Sequence, residues 1–323
     1  MWQKTRALIR KYRSFLITTH VFPDGDAVGS ELALAALLRK LGKRALVVNE
    51  HPVPKIYAFL DPRRTAKTCT KKLRPRMAKC DAAFVVDVSS LERAGRVGAW
   101  IDEAGLPTAC IDHHKTNAHF ADVNVVDPGA ASTGEMIYDL ATRLRVPITR
   151  PIADRLFVAI ATDTGWFRFP NTTPGTLRVA AELMEAGART DRLYGAVHET
   201  LRWQRMALMR DVLGTLRSEC GGQIAHFYAT ESMLRRVGAT YEDTEGFTDL
   251  PRVLHNVKLI FFFRQIGRTV KVSIRSKDGP SVEGLARKHG GGGHAKAAGV
   301  VMAGPLRKAM KTLLADARKL LKP

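Results

Sequence analysis

Cysteine is scarce in this chain: Cys69, Cys80, Cys110 and Cys220 are the only four in 323 residues, and no two stand in a C-x-x-C pair. Four so spaced do not make a disulfide framework, and reduced, mostly buried thiols are expected. Long apolar runs are missing as well. None approaches the roughly 20 residues of a membrane span, and the apolar stretch at 15–19 is shorter than the roughly 7–15 residues of a signal-peptide core. A cytoplasmic protein with no membrane partner is the expectation. Acidic residues are in deficit, 31 against 51 Lys and Arg, for a net charge of +20. Internal repeats and low-complexity tracts are also absent.

What is present is ordinary globular material, 45% hydrophobic and 25% charged, long enough for two domains with separate cores. Basic residues gather at 63–79 and again at 307–322. A field of that sign attracts anions, nucleic acid foremost, although compositional bias alone could produce it.

The first half alternates β-rich and helix-like segments. Strands are expected at 15–19, 45–48, 82–86 and 108–111, with helices at 28–41 (stopped by Gly42), 151–161 and 176–188. Continuous apolar strands joined by helices predict a parallel sheet covered on both faces. The stretch 193–216 is helical in character. Beyond it, strands at 224–229, 258–263 and 269–274, a glycine run and a basic amphipathic C-terminal helix mark a second α/β region.

Chemistry-bearing residues fall where the strands end. His20-x-x-x-Asp24-x-Asp26 follows the first, Asp87 ends the third, and Asp112-His113-His114 follows the fourth. Side chains at the carboxyl edge of one sheet converge in space however far apart they are in sequence. Asp163 follows the helix at 151–161. Each motif alone has a plainer explanation: Pro23 to Asp26 as a turn with Asp26 capping a helix, Asp87 as a cap, Asp163 before a left-handed stop at Gly165. The Asp-His-His triplet resists that treatment. Adjacent imidazoles diverge, so one can bind metal while the other faces substrate, with Asp112 orienting an imidazole. Gly290 to Gly293, followed by His294, lets several backbone N–H groups turn toward one point as an anion nest, with Lys296 and Arg275 as further donors.

Five motifs in this order resemble the DHH phosphoesterase superfamily, and its bifunctional oligoribonuclease/pAp-phosphatase branch, the nano-RNases, most of all. The resemblance spans nearly the whole chain. It implies a parallel-sheet DHH catalytic domain over 1–190, a helical linker over 191–216 and a smaller α/β DHH-associated substrate-binding domain over 217–323. It implies two divalent cations, most often Mn²⁺: His20, Asp24 and Asp87 on one, and Asp26, Asp87, His113 and Asp163 on the other, Asp87 bridging. His114 would face the scissile phosphate with Asp112 behind it. Arg275, Gly291, Gly292, Gly293 and His294 would hold substrate. A mixed carboxylate and imidazole set without thiolate suits Mn²⁺.

The implied activity is metal-assisted hydrolysis of short oligonucleotides, RNA and potentially DNA, to mononucleotides, together with dephosphorylation of pAp to AMP. A homodimer is compatible with the resemblance. Competing readings are a phosphodiesterase of cyclic or linear signalling dinucleotides and a non-catalytic RNA-binding protein. Two departures stand out: the family commonly has Asn where this chain has Phe22, which bears on loop packing only, and the charge is high for the branch.

Overall fold

Phe15, Leu16 and Ile17 are all fully buried, which requires cover on both faces of their strand. The computed structural model, which describes residues 1–321, provides it with a six-stranded sheet. Its strands are β1 (Ser14–Thr18), β2 (Arg44–Asn49), β3 (Lys67–Thr68), β4 (Ala82–Val86), β5 (Thr108–Asp112) and β6 (Val123–Val126). All neighbours pair in parallel, in the order β3-β2-β1-β4-β5-β6.

Around the sheet run α1 (Gln3–Lys11), α2 (Gly25–Lys40), α3 (Arg74–Met77), α4 (Gly95–Glu103), α5 (Thr133–Arg143), α6 (Arg150–Asp163), α7 (Pro174–Glu185) and α8 (Thr190–His198). Strand side chains alternate between two cores. Phe15, Ile17, Phe84, Val86 and Ile111 face one that holds residues of α1, α2, α5 and α6. Leu16, Val48, Ala83 and Val85 face the other, with Met77, Val97 and Ile101. Helices α2 and α6 press together tightly: a Cβ on Gly29 would lie 2.4 Å from the Arg155 carbonyl oxygen.

The parallel sheet and its helices are as expected from the apolar runs. The pattern passed over α1, α4, α5 and β6, and α2 begins three residues earlier than expected. The cap of α2 is Asp24, whose carboxylate accepts from the Ala27 amide at 3.0 Å. Asp26 lies inside the first turn and is buried, so it is not the cap that the turn reading offered.

The chain divides into two compact units, Met1–Thr200 and the chain from Leu201 onward. The helical stretch at 193–216 breaks at 199–202, between α8 and α9 (Trp203–Leu213). The second unit continues with β7 (Arg217–Glu219), β8 (Ile224–Ala229), α10 (Glu231–Val237), β9 (Leu259–Ile266), β10 (Thr269–Ser276), α11 (Glu283–Lys288), β11 (Gly292–His294), β12 (Ala297–Ala303) and α12 (Leu306–Leu320). Its mixed sheet runs β11-β12-β10-β9-β8-β7, with only β8 and β9 parallel. One face packs Phe261, Phe263, Val272 and Ile274 with Leu313 and Leu314 of α12. On the other, Phe227 and Phe262 pack with Leu208 and Val212 of α9 and Leu234 of α10. Lys322, the last cation of the C-terminal basic run, and the end of the domain expected to close at 323 lie outside the described residues. Among the described residues no helix is long and apolar enough to cross a membrane.

Candidate metal centre

In this strand order β1 and β4 are neighbours whose following connections leave in opposite directions along the sheet, which opens a crevice beyond their carboxyl ends. His20, Asp24 and Asp26 follow β1, and Asp87 follows β4 directly. Asp112 is the last residue of β5, and His113 and His114 come next. Asp163 ends α6, which packs along α2. Six candidate ligands thus reach one place from three strand ends and one helix end.

Asp87 takes a left-handed backbone conformation, φ 58°. For a residue with a Cβ this is uncommon and mildly strained, and such positions gather at functional sites. Its N–H donates to the Ile111 carbonyl at 2.9 Å, and its Oδ1 accepts from the Thr133 hydroxyl at 3.1 Å. The chain therefore turns a buried carboxylate sharply off the strand and then fixes it.

Two groups of donor atoms share that carboxylate. His20 Nε2 stands 3.7 Å from Asp87 Oδ2 and 3.8 Å from Asp24 Oδ1. His113 Nε2 stands 3.7 Å from Asp87 Oδ1, 3.9 Å from Asp26 Oδ2 and 3.5 Å from Asp163 Oδ2. These gaps are too long for hydrogen bonds. Two ligands on one cation, at bonds of about 2.1 Å, stand roughly 3–4 Å apart. The spacing, the mixed oxygen and nitrogen donors and the absence of thiolate all fit hard or borderline divalent cations. His20 with Asp24 and Asp87, and Asp26 with His113 and Asp163, are each grouped tightly enough for one.

The electrostatics ask for positive charge. Burial, then the charges of Asp87, Asp163 and Asp24, pushes Asp26 well above the ordinary carboxylate range. Burial also lifts Asp87, to about 6, with Asp24 adding to the rise and His113, His20 and His114 opposing it. Asp163 is raised chiefly by burial, and at the carboxyl end of α6 it faces the negative pole of that helix. At Asp24 burial raises the pKa, but His20 and the Ala27 amide outweigh it and the net shift is downward. A bound dication would relieve each of the raised groups.

Sequence reasoning missed the residues that hold Asp26. At the start of α5 the Thr133 and Gly134 amides donate to its two oxygens at 2.8 and 2.9 Å, and the Ser30 hydroxyl adds a bond of 2.9 Å. Helix N-termini favour such an anion. The available signal was Ser132-Thr133-Gly134-Glu135: Ser132 caps α5 by accepting from the Glu135 amide. Asn117 was missed too. Its amide donates to Asp112 Oδ2 at 2.7 Å and to the Val88 carbonyl at 3.1 Å.

Asp112 is fully buried, and its other oxygen meets His114 Nδ1 at 2.7 Å. Burial works against its charge, but His114 and Asn117 outweigh it and hold the pKa low. The same bond raises the pKa of His114. The imidazole, 40% exposed, is thereby oriented with Nε2 directed away from Asp112.

In the second unit the glycine run differs from a convergent nest. The Gly290 and Gly291 amides donate to the Arg287 and Ala286 carbonyls at 3.0 and 2.8 Å and so close α11. Gly292–His294 is an edge strand paired with β12. The N–H groups that a nest would aim at an anion are largely consumed by a helix end and a ladder. The register instead sets side chains together. His294, Ala297 and Arg275 form one cross-strand row, and Gly292, Gly299 and Ser273 the next, on one face of the sheet. Ala297 separates His294 from Arg275, whose α-carbons stand about 10 Å apart across two strand spacings. Gly291 and Gly293 take other positions in the hairpin. Arg275 Nε also lies 3.6 Å from Asp249, and Lys296 donates to the Gly279 carbonyl, so neither is wholly free.

Comparison with known proteins identifies the family. A family model described as "DHH family, N-terminal domain" matches residues 14–160, and one described as "DHHA1 domain" matches residues 235–322. The chain is 38% identical over 316 residues to the bifunctional oligoribonuclease and PAP phosphatase NrnA of Thermus thermophilus, covering 94% of this chain and 90% of that one. To the protein of the same name from Bacillus subtilis it is 28% identical, over 90% of each. An exopolyphosphatase-related protein from Bacteroides fragilis superposes with a TM-score of 0.85 at 24% identity, over 99% of this chain and 97% of the other. With both domain types in order and a relative this similar along nearly its whole length, the chain belongs to the DHH family of phosphoesterases.

Proposed function

We propose that this enzyme hydrolyses short oligonucleotides to mononucleotides and dephosphorylates pAp to AMP, using two Mn²⁺ ions. The observation that carries the proposal is a pair of donor groups about one buried carboxylate, Asp87, which belongs to the first and lies 3.7 Å from His113 of the second, in a chain whose relatives bear the names of those two activities. His20, Asp24 and Asp87 would hold one cation, and Asp26, Asp87, His113 and Asp163 the other. Cations held there would supply Lewis acidity at a phosphoryl oxygen and a nucleophile from water near neutral pH.

The protein's own part is positioning and proton handling. Thr133 and the α5 amides keep Asp26 and Asp87 fixed, so the ligand oxygens need no reorganisation as charge builds on the phosphoryl group. Asp112 holds Nδ1 of His114 and favours its protonated form. His114 Nε2 would then donate to a phosphoryl oxygen or to the departing ribose oxygen. In the second unit, Arg275 and His294 on one sheet face, with the side-chain-free floor of Gly292 and Gly299 beside them, would take a further phosphate, and Gly291 and Gly293 would keep the hairpin in place.

The test is divalent-cation-dependent hydrolysis of three substrates: a 5′-phosphorylated dinucleotide, a single strand of about 24 nucleotides and pAp, with Asp87→Ala as control. Manganese-stimulated turnover of the dinucleotide and pAp, lost in the variant, is the expected result. Preference for the long strand, or turnover of none, would overturn it.

A further inference from the structure

Two residues before Asp24 and two after His20, the chain presents a phenylalanine to solvent. Phe22 is 75% exposed, yet it does not stand alone. Its ring lies on that of His51, centroids 4.6 Å apart and planes 11° from parallel. His51 follows β2 and is held in turn by its Nδ1–H, which donates to the Val21 carbonyl. Val21 itself is fixed by its amide, which donates to the Arg93 carbonyl at 2.8 Å. His51 covers one face of the Phe22 ring, and the residue remains open to water.

A ring stacked on one side and open to water on the other leaves apolar surface in solvent. Flat aromatic surfaces of this kind gain free energy when a planar π-system covers the open face. The position says which. Phe22 is two residues from each of two candidate ligands, so its α-carbon lies within about 7 Å of theirs. In a nucleotide a single sugar separates phosphate from base. A phosphate at the carboxylate and histidine cluster therefore carries its base into the neighbourhood of this ring.

We propose that Phe22, backed by His51, is a stacking platform for the nucleobase attached to the phosphate under attack. The inference rests on the nucleotide substrates proposed above and deepens them: the site recognises a nucleoside phosphate by its base plane as well as its charge. Stacking is tolerant of base identity because every base has a π-face, so the platform selects nucleotides over simple phosphate esters without reading sequence.

Two measurements decide it. In the first, Phe22→Trp places a fluorophore on the platform, and its emission, taken as the difference from wild type, is titrated with AMP and with ribose 5-phosphate. Quenching by AMP alone is expected. Quenching by neither, or equally by both, overturns the platform. In the second, Phe22→Ala is assayed on a 5′-phosphorylated dinucleotide and on the same compound lacking the base next to the scissile phosphate. A KM raised about ten-fold on the intact dinucleotide and unchanged on the abasic one, with full KM regained in Phe22→Trp, is expected. Equal KM changes on both substrates, or none, overturn the proposal. Inactive wild-type protein would sink the phosphoesterase function instead, and the quenching titration would still judge the platform.

Discussion

The carboxylate cluster of the first unit and the sheet face of the second that carries Arg275 and His294 are built in opposite ways. In the first, Asp26, Asp87 and Asp112 are buried, Asp26 and Asp112 with two or more donors each and Asp87 with the Thr133 hydroxyl, and the repulsion between Asp26 and Asp87 is built into the fold. In the second, His294 is exposed on an edge strand and Arg275 is partly so, with Asp249 beside it. Buried groups of fixed geometry suit a reaction in which a small displacement is costly. A partly exposed guanidinium on a sheet face suits attraction without tight geometry, and salt screens it readily. Substitutions in the first region should therefore damage kcat, and those in the second KM.

The sharpest way to break this contrast is Asp87→Ala, which removes the carboxylate common to both donor groups. Turnover should fall by about 10³-fold or more, and chelation of divalent cations from wild type should do the same. Thr133→Val comes next. It leaves Asp87 Oδ1 without its hydroxyl donor, and activity at limiting metal should drop about 10- to 100-fold. Excess metal should recover part of that loss, and Thr133→Ser nearly all of it.

Asp112→Asn tests the protonation of His114. The wild-type bond to Asp112 raises the His114 pKa, so removing the charge lowers it. The imidazole then loses its proton at lower pH, and the alkaline limb of the pH–kcat profile should move toward acid, with kcat at neutral pH down about ten-fold. An unmoved limb would remove His114 from proton transfer. In the second region, Arg275→Ala should raise KM several-fold at nearly constant kcat. It should also shallow the slope of log KM against log salt by about one contact.

The candidate ligands could be picked out in the sequence because, although a turn or a cap would explain each alone, they gather where strands and helices end. His20, Asp87 and Asp112 follow apolar runs whose continuous burial already announces a parallel sheet. Thr133 and Gly134 could show in the sequence only as the start of a helix, because the contacts that matter run across a long separation, such as Thr133 to Asp26, and Asn117 was missed because its bond to Asp112, five residues back, is set by the path of the intervening loop. The glycine run misled in shape: composition shows that the backbone can turn freely, but only the ladder with β12 shows that it is a hairpin edge. Phe22 looked like a matter of loop packing until His51, 29 positions on, was found under its ring.

The smallest predicted effect lies behind the cluster on α2. Glu31 is fully buried and accepts from Asn49 Nδ2 at 2.7 Å, while its Oε2 and Asn49 Oδ1 have no partner. Burial, the largest influence, lifts its pKa to about 8. The folded form thus keeps a proton that the unfolded chain releases near its ordinary value, so stability falls as pH rises from about 4.5 to about 8 and then levels. Glu31→Gln cannot lose a proton and can satisfy both orphan atoms. Its melting temperature should match wild type below pH 4 and exceed it by several degrees at pH 9.

The ligands also appear in a definite order during synthesis. The central strand β1 and its loop emerge first, and the donors His20, Asp24 and Asp87 are all present once β4 has been made. The second donor group has to wait for the end of α6 at Asp163, and the cationic face for β12. A nascent chain therefore carries every donor of the first candidate group well before those of the second, and the contacts from Ile111 and Thr133 that fix Asp87 arrive in between. For that interval a lone ion would be a folding ligand rather than half of a catalyst, and the protein would gain hydrolytic power only after its first domain had closed.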